Sequence, residues 1–238
     1  MLLIPPDEQE RLLLLGKNGS GKSEVTYALE AAGRYRCTYF DWKGDCNPYP
    51  LDAGGQPFTV VRKGDDGWGF RNRRVVYRPA PGSHWRTDAG CAQVLQRYFV
   101  RAAHNYDSKR KRSREPRIII IPEILLFGPR SQAAMAEIAS GARALELGLW
   151  IETQRPRRIP VVIRSEAWRL YVFSLGYKDD ELEVLKYAKG RLSLEQLAEL
   201  DAASEARPPR HPFIEVVLRS KQGGPIRVTL CPELDLAA

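Results

Sequence analysis

The chain has 238 residues, of which 43% are hydrophobic and 28% charged. These values are typical of a folded protein with one sizeable α/β domain, and they exclude a disordered chain. The net charge of +8 at pH 7 favours a polyanionic partner.

The sequence contains no apolar run that approaches the length of a membrane span, and its leading MLLIPP is too short for a signal sequence. Its four cysteines are scattered and form no C-x-x-C pair, which argues against a zinc site and for a reducing compartment. These features predict a cytoplasmic location.

The first predicted elements are a buried strand over 11–15 and a helix over 22–32, ended by Gly33. Between them GKNGSGKS matches the phosphate-loop pattern G-x-x-x-x-G-K-[ST], with a strand before it and a helix after it. Such a loop points backbone N–H groups and a helix N-terminus at bound phosphates. The predicted nucleotide-binding residues are Gly16, Lys17, Asn18, Gly19, Ser20, Gly21, Lys22 and Ser23.

The motif also defines two side-chain roles. Lys22 is expected to reach the β- and γ-phosphates, and the Ser23 hydroxyl to ligate Mg²⁺. The predicted cofactors are therefore ATP and Mg²⁺. The phosphate loop alone leaves open whether the nucleotide drives a kinase transfer, a signalling switch or mechanical work.

The rest of the chain alternates strands and helices. Strands are predicted over 36–45, 73–79, 117–123, 148–154 and 167–175. Helices are predicted over 88–105, 131–147, 179–190 and 193–204. The segment 46–74 is rich in Gly, Pro and Asp and is expected to be an insertion or long loop, with a short strand at 58–63.

Residues 211–230 predict a β-hairpin with its turn at Gly223-Gly224. The alternation predicts an α/β fold with a central, mostly parallel sheet and a C-terminal hairpin. One domain is expected over 1–238, with a core at about 11–176 and the C-terminal helices and hairpin at 177–238.

An ATPase of this kind needs an acidic pair at the end of an apolar strand. The strand IIIIPE places Glu123 in the second position of that pair, but Pro122 occupies the first and offers no side-chain ligand. Asp41 and Glu152 are the alternatives for the missing carboxylate. Glu152 shares a strand face with Gln154 and is costly to bury unpaired, so we predict that it faces the nucleotide and supplements the metal shell.

Four segments together resemble the HerA/FtsK superfamily of P-loop motor ATPases: GKNGSGKS, FDWKGD, RVVYRP and ARALELGLWIETQRPRRIP. The last is the most specific, because this family carries an arginine, a glycine, an apolar strand and then T-Q-R-P in this order. The resemblance spans roughly 11–176 and implies a RecA-like P-loop (ASCE) NTPase fold. It also implies that the strand ending in Gln154 lies between the phosphate loop and the acidic strand.

The resemblance implies the catalytic roles. Glu123 is the expected catalytic carboxylate, and Gln154 the expected sensor of the γ-phosphate. Arg143 lies where the family often has an arginine that enters a neighbour's site, with Arg155 as the alternative finger. The family has Asp where this chain has Pro122, which puts tight Mg²⁺ binding and fast turnover in doubt.

A short motor core resembles the genome-packaging ATPases of viruses with an internal membrane and a double-jelly-roll capsid. The implied partners are double-stranded DNA, further copies of the chain in a hexameric ring, and capsid or membrane-vertex proteins. The implied location is the host cytoplasm, with virion association as the alternative.

A translocating ring needs a positive lining that follows phosphates without base readout. The densest basic segment, KRKRSR, supplies the predicted DNA-binding residues Lys109, Arg110, Lys111, Arg112 and Arg114. Because it precedes its strand, it is expected at the sheet edge opposite the nucleotide. The second candidate is 62–74, where Trp68 and Phe70 could stack on DNA.

Three other functions stay open. One is a cellular HerA/FtsK-like DNA pump, and another is a catalytically weak nucleotide-binding assembly factor, which Pro122 favours. A small-molecule kinase fits the size and the N-terminal phosphate loop. However, the arginines of this chain surround T-Q-R-P and the loop before the apolar strand, whereas small kinases usually carry an arginine-rich lid.

Overall fold

The protein is described by a computed structural model over residues 9–52, 54–63, 72–110, 112–113, 117–206, 211–219 and 228–231. Its strands are β1 (Arg11–Leu15), β2 (Cys37–Phe40), β3 (Phe58–Val61), β4 (Arg74–Tyr77), β5 (Tyr106–Asp107), β6 (Arg112–Ser113), β7 (Arg117–Ile121), β8 (Leu147–Thr153), β9 (Arg169–Val172), β10 (Phe213–Val217) and β11 (Val228–Cys231). Its α-helices are α1 (Lys22–Gly33), α2 (Asp88–Asn105), α3 (Pro129–Ala142), α4 (Val161–Ser165), α5 (Lys178–Tyr187) and α6 (Leu194–Ala206). Short 3-10 helices span His84–Arg86, Ile124–Leu126 and Pro156–Arg158.

One nine-stranded sheet organises these elements, in the order β11-β10-β9-β1-β8-β7-β2-β4-β3. Neighbouring strands run parallel from β9 to β3, whereas β10 is antiparallel to both β9 and β11. Strands β5 and β6 pair with each other as a separate antiparallel unit. The predicted α/β class and the mostly parallel sheet are confirmed, and β8 lies between β1 and β7, as the T-Q-R-P segment implied.

The central strands are buried on both faces. Leu12 and Leu14 of β1 pack on the face covered by α1, whereas Leu13 and Leu15 pack on the face covered by α2 and α3. Side chains alternate between the two faces of a strand, so a run of apolar residues is what a strand covered by helices on both sides requires. The same pattern holds in β7, whose five residues are all buried.

Two predicted elements differ from the structure. The helix predicted over 131–147 ends at Ala142, because the chain then turns back toward β8 through Glu146, which has a positive φ of 54°. The segment 46–74 contributes β3, which pairs in parallel with β4 at the edge of the main sheet. The short strand predicted at 58–63 is therefore present, and it belongs to the main sheet rather than to an insertion outside it. Trp68 and Phe70 lie outside the described residues.

The C-terminal hairpin is present as the antiparallel pair β10 and β11, with Phe213 opposite Cys231. This confirms the predicted hairpin, while its predicted turn at Gly223-Gly224 lies outside the described residues. Within the described ranges, no helix combines the length and the apolar character that a bilayer crossing requires.

Candidate functional site

The phosphate loop joins β1 to α1 and is fixed on both sides by the neighbouring strands. Gly16 N donates to the Thr153 carbonyl of β8 at 3.2 Å, and Lys17 N donates to the Ser174 carbonyl after β9 at 2.9 Å. Gly21 has a φ of +91°, a left-handed conformation that glycine adopts without steric cost. The loop is therefore held at the carboxyl ends of the central strands, which is where open α/β sheets bind their ligands.

Lys22 begins α1 and is buried at 7% exposure. Its Nζ donates to the Gly16 carbonyl at 2.8 Å and to the Lys17 carbonyl at 2.7 Å. Burial lowers the pKa of Lys22, and the carboxylates of Glu152 and Glu123 oppose that shift. The ammonium group is therefore folded across the loop and faces two acidic side chains, where it can contact phosphate oxygens.

Glu152 lies against the first turn of α1, and its side chain is fully buried at 0% exposure. The Ser23 hydroxyl donates to Glu152 Oε2 at 2.6 Å, whereas the buried Oε1 has no hydrogen-bond partner among the described residues. Desolvation raises the pKa of Glu152 to about 7, against the lowering influence of Ser23, Thr26 and Lys22. An orphaned carboxylate oxygen beside the motif serine fits a divalent cation, since hard cations prefer oxygen ligands.

The strand register explains why Glu152 can replace the missing acidic residue. In the parallel pair of β7 and β8, Ile120 is opposite Trp150 and Ile121 is opposite Ile151. One step further along this register, Pro122 is level with Glu152. Residues paired in this way point to the same face of a sheet, so Glu152 places a carboxylate level with Pro122 and one strand closer to the phosphate loop.

Asp41, the other alternative, follows β2, and its carboxylate is hydrogen-bonded within the turn after this strand. Its Oδ1 accepts from Gly44 N at 2.7 Å, and its Oδ2 accepts from Cys46 N at 3.3 Å and from Arg78 Nε at 2.6 Å. Both oxygens are therefore engaged in holding the turn after β2. These contacts favour Glu152 over Asp41 as the supplementary ligand.

Two of the four predicted catalytic residues lie in one cleft of about 520 Å³ beside the phosphate loop. Glu123 and Gln154 are half-buried and line this cleft together with Glu152 and the Lys22 side chain. No cluster of three or more His, Cys, Asp or Glu side chains suited to a metal ion occurs in the part of the chain that the structure describes. A Mg²⁺ ion here would thus need ligands from the nucleotide besides Ser23 and the carboxylates.

The two candidate arginine fingers differ in their surroundings. Arg155 is half-buried, and its Nε lies 3.0 Å from Oδ2 of the fully buried Asp180. Its guanidinium also stacks over the Tyr177 ring at 4.2 Å. Arg143 follows the end of α3 and is exposed. Burial lowers the pKa of Arg11 at the start of β1, and the nearby charge of Arg143 lowers it further. Arg143 therefore lies at the sheet edge opposite this chain's own phosphate loop.

The predicted DNA-binding segment lies at the same edge as Arg143. Lys109 and Arg110 are exposed, in the turn between β5 and β6. Ser113 N donates to Glu146 Oε2 at 2.6 Å, which holds β6 beside the start of β8. The main chain of Arg112 belongs to β6, whereas Lys111 and Arg114 lie outside the described residues.

Among the cleft residues that sequence reasoning missed is His211, which precedes β10 and lines the site. A Cβ placed on Gly21 would lie 2.2 Å from His211 Cγ, so the imidazole packs directly against the phosphate-loop backbone. No local motif marks this histidine, because its proximity depends on β10 joining the main sheet.

No protein-family model and no curated protein matches this chain. Among solved structures, the genome packaging NTPase B204 from Sulfolobus turreted icosahedral virus 2, in complex with ATP-γS, is similar with a TM-score of 0.57 at 15% identity. The similarity covers 96% of this chain and 100% of that chain.

Two other solved structures share the fold over part of their length. The pCW3 conjugation coupling protein TcpA, with ATPγS, has a TM-score of 0.55 at 13% identity, over 90% of this chain and 60% of that one. The cytoplasmic domain of the type VII secretion ATPase EccC from Thermomonospora curvata has a TM-score of 0.53 at 15% identity. This similarity covers 88% of this chain and 24% of that one. At these identities the similarity concerns the fold alone, and the predicted α/β fold of a P-loop NTPase is confirmed.

Proposed function

We propose that this protein is an ATP-driven double-stranded DNA translocase, and specifically a viral genome-packaging ATPase that works as a homo-oligomeric, hexameric ring. The observation that carries the ATPase part is the convergence of Lys22, Ser23, Glu123, Glu152 and Gln154 in one cleft beside the phosphate loop. The packaging part is supported by the end-to-end similarity to a packaging NTPase of comparable length.

The reaction is hydrolysis of ATP to ADP and phosphate. Water polarised by Glu123 attacks the γ-phosphorus in line, and the bond to the β–γ bridging oxygen breaks. Lys22 binds the β- and γ-phosphates and stabilises the developing charge, and Gln154 contacts the γ-phosphate. Ser23 and Glu152 would hold Mg²⁺, which would supply neutralisation of the phosphate charge.

Glu152 has two roles in this proposal. Its hydrogen bond from Ser23, at 2.6 Å, fixes the orientation of the serine hydroxyl. Its unpartnered Oε1 supplies the negative charge that Pro122 does not. The site therefore keeps two carboxylates, Glu123 and Glu152, although they come from neighbouring strands rather than from consecutive positions. This arrangement is the reason to favour an active enzyme over a weak assembly factor.

Arg143 is the proposed trans arginine finger. It is exposed and lies at the opposite sheet edge from its own phosphate loop, as a residue that acts in a neighbour's site must. Arg155 instead forms an ion pair with Asp180 and stacks on Tyr177 within its own chain. An arginine finger contributes about 10³- to 10⁵-fold to the hydrolysis rate, so an isolated subunit is expected to be slow.

The first experiment measures ATP hydrolysis against protein concentration, with and without double-stranded DNA. We expect turnover to rise steeply with both, and K22A to be inactive under all conditions. ATP binding with flat, negligible hydrolysis would contradict the motor and favour the assembly factor. Phosphoryl transfer to a nucleoside, without stimulation by DNA, would favour the kinase.

A mixing experiment tests the finger. K22A and R143A are each expected to be inactive, but their mixture forms interfaces that combine Lys22 of one subunit with Arg143 of its neighbour. Random mixing at equal amounts makes about one quarter of the interfaces complete, so partial activity should return. If R155A complements K22A and R143A does not, Arg155 is the finger.

The proposed DNA contact is the basic turn at Lys109 and Arg110. The double variant K109A/R110A should keep its basal hydrolysis but bind DNA more weakly. The slope of log K for DNA binding against log salt concentration should decrease in magnitude by about 2. K186A/K189A, which removes two exposed charges elsewhere, is the matched control. Equal effects of both pairs would contradict a specific DNA contact.

We place this activity in the host cytoplasm, with virion or capsid-vertex association as a later stage.

A further inference from the structure

The C-terminal hairpin reaches the nucleotide cleft through the direction of β10. Strand β10 is antiparallel to β9, with Ile214 opposite Val172, and β9 is parallel to β1, with Leu15 opposite Val172. The start of β10 is therefore level with the ends of β9 and β1. His211, two residues before β10, is brought to the edge of the sheet that carries the phosphate loop.

The contact between His211 and the loop is close. A Cβ on Gly21 would lie 2.2 Å from His211 Cγ, 2.3 Å from its Cβ and 2.7 Å from its Nδ1. Any side chain at Gly21 would collide with the imidazole, so this glycine serves the contact as well as the loop conformation. His211 is half-buried and still lines the cleft. Its ring therefore faces both the loop and the space that a nucleotide would occupy.

The two sides of the cleft carry different chemistry. Glu152 and Glu123 belong to β8 and the end of β7, and Ser23 is hydrogen-bonded to that side. His211 arrives from the opposite side of β1, next to β9 and β10. A nucleotide whose γ-phosphate lies against Glu123 and Gln154 has its other end directed away from the carboxylates.

We propose that His211 contacts the nucleoside part of the bound nucleotide, its ribose or base, and so makes the C-terminal hairpin a part of the nucleotide site. This inference rests on the proposed function, since it assumes that ATP binds at the phosphate loop. An imidazole suits the role, because its ring stacks on a base and its nitrogens donate and accept hydrogen bonds.

The alternative role of His211 is to support Gly21 and thereby the phosphate loop. The two roles predict different losses. A residue that touches the nucleoside affects ATP but not inorganic tripolyphosphate, which has the same phosphate chain without a nucleoside. A residue that supports the loop affects both ligands equally, since both need the same backbone N–H groups.

The experiment measures the affinities of ATP and of inorganic tripolyphosphate by calorimetry, each with Mg²⁺, for the wild type, H211A and H104A. His104 is an exposed histidine of α2 and serves as the matched control. We expect H211A to bind ATP about tenfold more weakly than the wild type. Its affinity for tripolyphosphate should stay within about twofold of the wild-type value, whereas H104A should change neither affinity. Because a misfolded variant would bind no tripolyphosphate, this ligand also reports that H211A is folded.

Equal losses of ATP and tripolyphosphate in H211A, or no loss of either, would overturn the contact with the nucleoside. A wild type that binds neither ligand would instead overturn the proposed function. K22A is a further control for the phosphate side of the cleft. It should lose affinity for ATP and for tripolyphosphate alike, because Lys22 contacts the phosphate chain that both ligands share.

Discussion

Two buried glutamates lie at opposite ends of α1, and they differ in how their charge is compensated. Glu30, a residue of α1 near its end, accepts from Arg74 Nε at 2.8 Å and from Arg74 Nη2 at 2.7 Å, and it also accepts from Cys37 Sγ at 3.3 Å. Glu152 of β8, beside the first turn of α1, accepts from the Ser23 hydroxyl at Oε2, whereas its Oε1 has no hydrogen-bond partner among the described residues.

The pair of Glu30 and Arg74 is a structural element. The Arg74 guanidinium also donates to the Gln56 and Tyr49 carbonyls and lies over the Phe58 ring at 3.8 Å. It thereby joins α1 to β4 and to the segment before β3. A buried ion pair of this kind is expensive to break, because the remaining partner keeps an uncompensated charge.

Glu152 is buried without such a partner, and a buried charge that is left half-compensated points to a functional role. The comparison indicates that burial alone does not distinguish a structural carboxylate from a functional one. The distinguishing feature is whether both oxygens are engaged within the chain itself.

The largest expected effect comes from breaking the structural pair. R74A should lower the free energy of unfolding by about 3–5 kcal/mol, measured by chemical denaturation, because Glu30 stays buried and unpaired. R74K should recover little of this loss, since an ammonium group cannot make the two-pronged contact. The control R130A removes an exposed arginine and should cost less than about 0.5 kcal/mol. If R74A is as stable as R130A, the ion pair of Glu30 and Arg74 does not stabilise the fold.

The second effect is the contribution of Glu152 to the pH dependence of stability. Its pKa is raised to about 7, mainly by desolvation, while Lys22, Ser23 and Thr26 of α1 lower it and Glu123 raises it. Between about pH 4.5 and 7 the folded state therefore holds a proton that the unfolded state has lost. The free energy of unfolding consequently falls as the pH rises through this window.

This dependence can be isolated by comparing the wild type with E152Q, without nucleotide or divalent cation. The wild type should lose about 3 kcal/mol or less between pH 5 and 8 relative to E152Q, and hydrolysis by E152Q should be about 10- to 100-fold slower. E199Q, which changes an exposed glutamate of α6, should follow the wild type. Parallel stability curves for the wild type and E152Q would show that Glu152 is not a desolvated carboxylate.

The smallest expected effect concerns the third contact of Glu30. C37A removes the thiol that donates to Glu30 at 3.3 Å, whereas C91A removes a buried thiol on the other face of the sheet. Both variants lose a similar volume, and the hydrogen bond of Cys91 is with the neutral Ser131 hydroxyl rather than with a carboxylate. The difference between them therefore reports what the contact with a buried carboxylate adds. C37A should cost about 1 kcal/mol more than C91A in denaturation. Equal costs would mean that Arg74 alone compensates Glu30.

Much of the architecture could be predicted from the sequence, because it depends on patterns that are local. The runs of Leu in β1 and Ile in β7 predict buried central strands, and the spacing of glycines before Lys22 predicts the loop between β1 and α1. The end of α3 at Ala142 and the membership of β3 in the main sheet could not be predicted. Both depend on contacts with distant segments, which override local periodicity. The single-domain organisation over 1–238 stays a prediction.

The sequence by itself determined the phosphate loop, the fold class and the candidates Glu123, Gln154 and Glu152. The tertiary structure decided which of them come together and how. Only the register of β7 and β8 places Glu152 level with Pro122, only the turn after β2 engages Asp41, and only the antiparallel β10 brings His211 to Gly21. The physical reason is that residue spacing defines which side chains share a face within an element, whereas the pairing between strands depends on the order of the whole sheet.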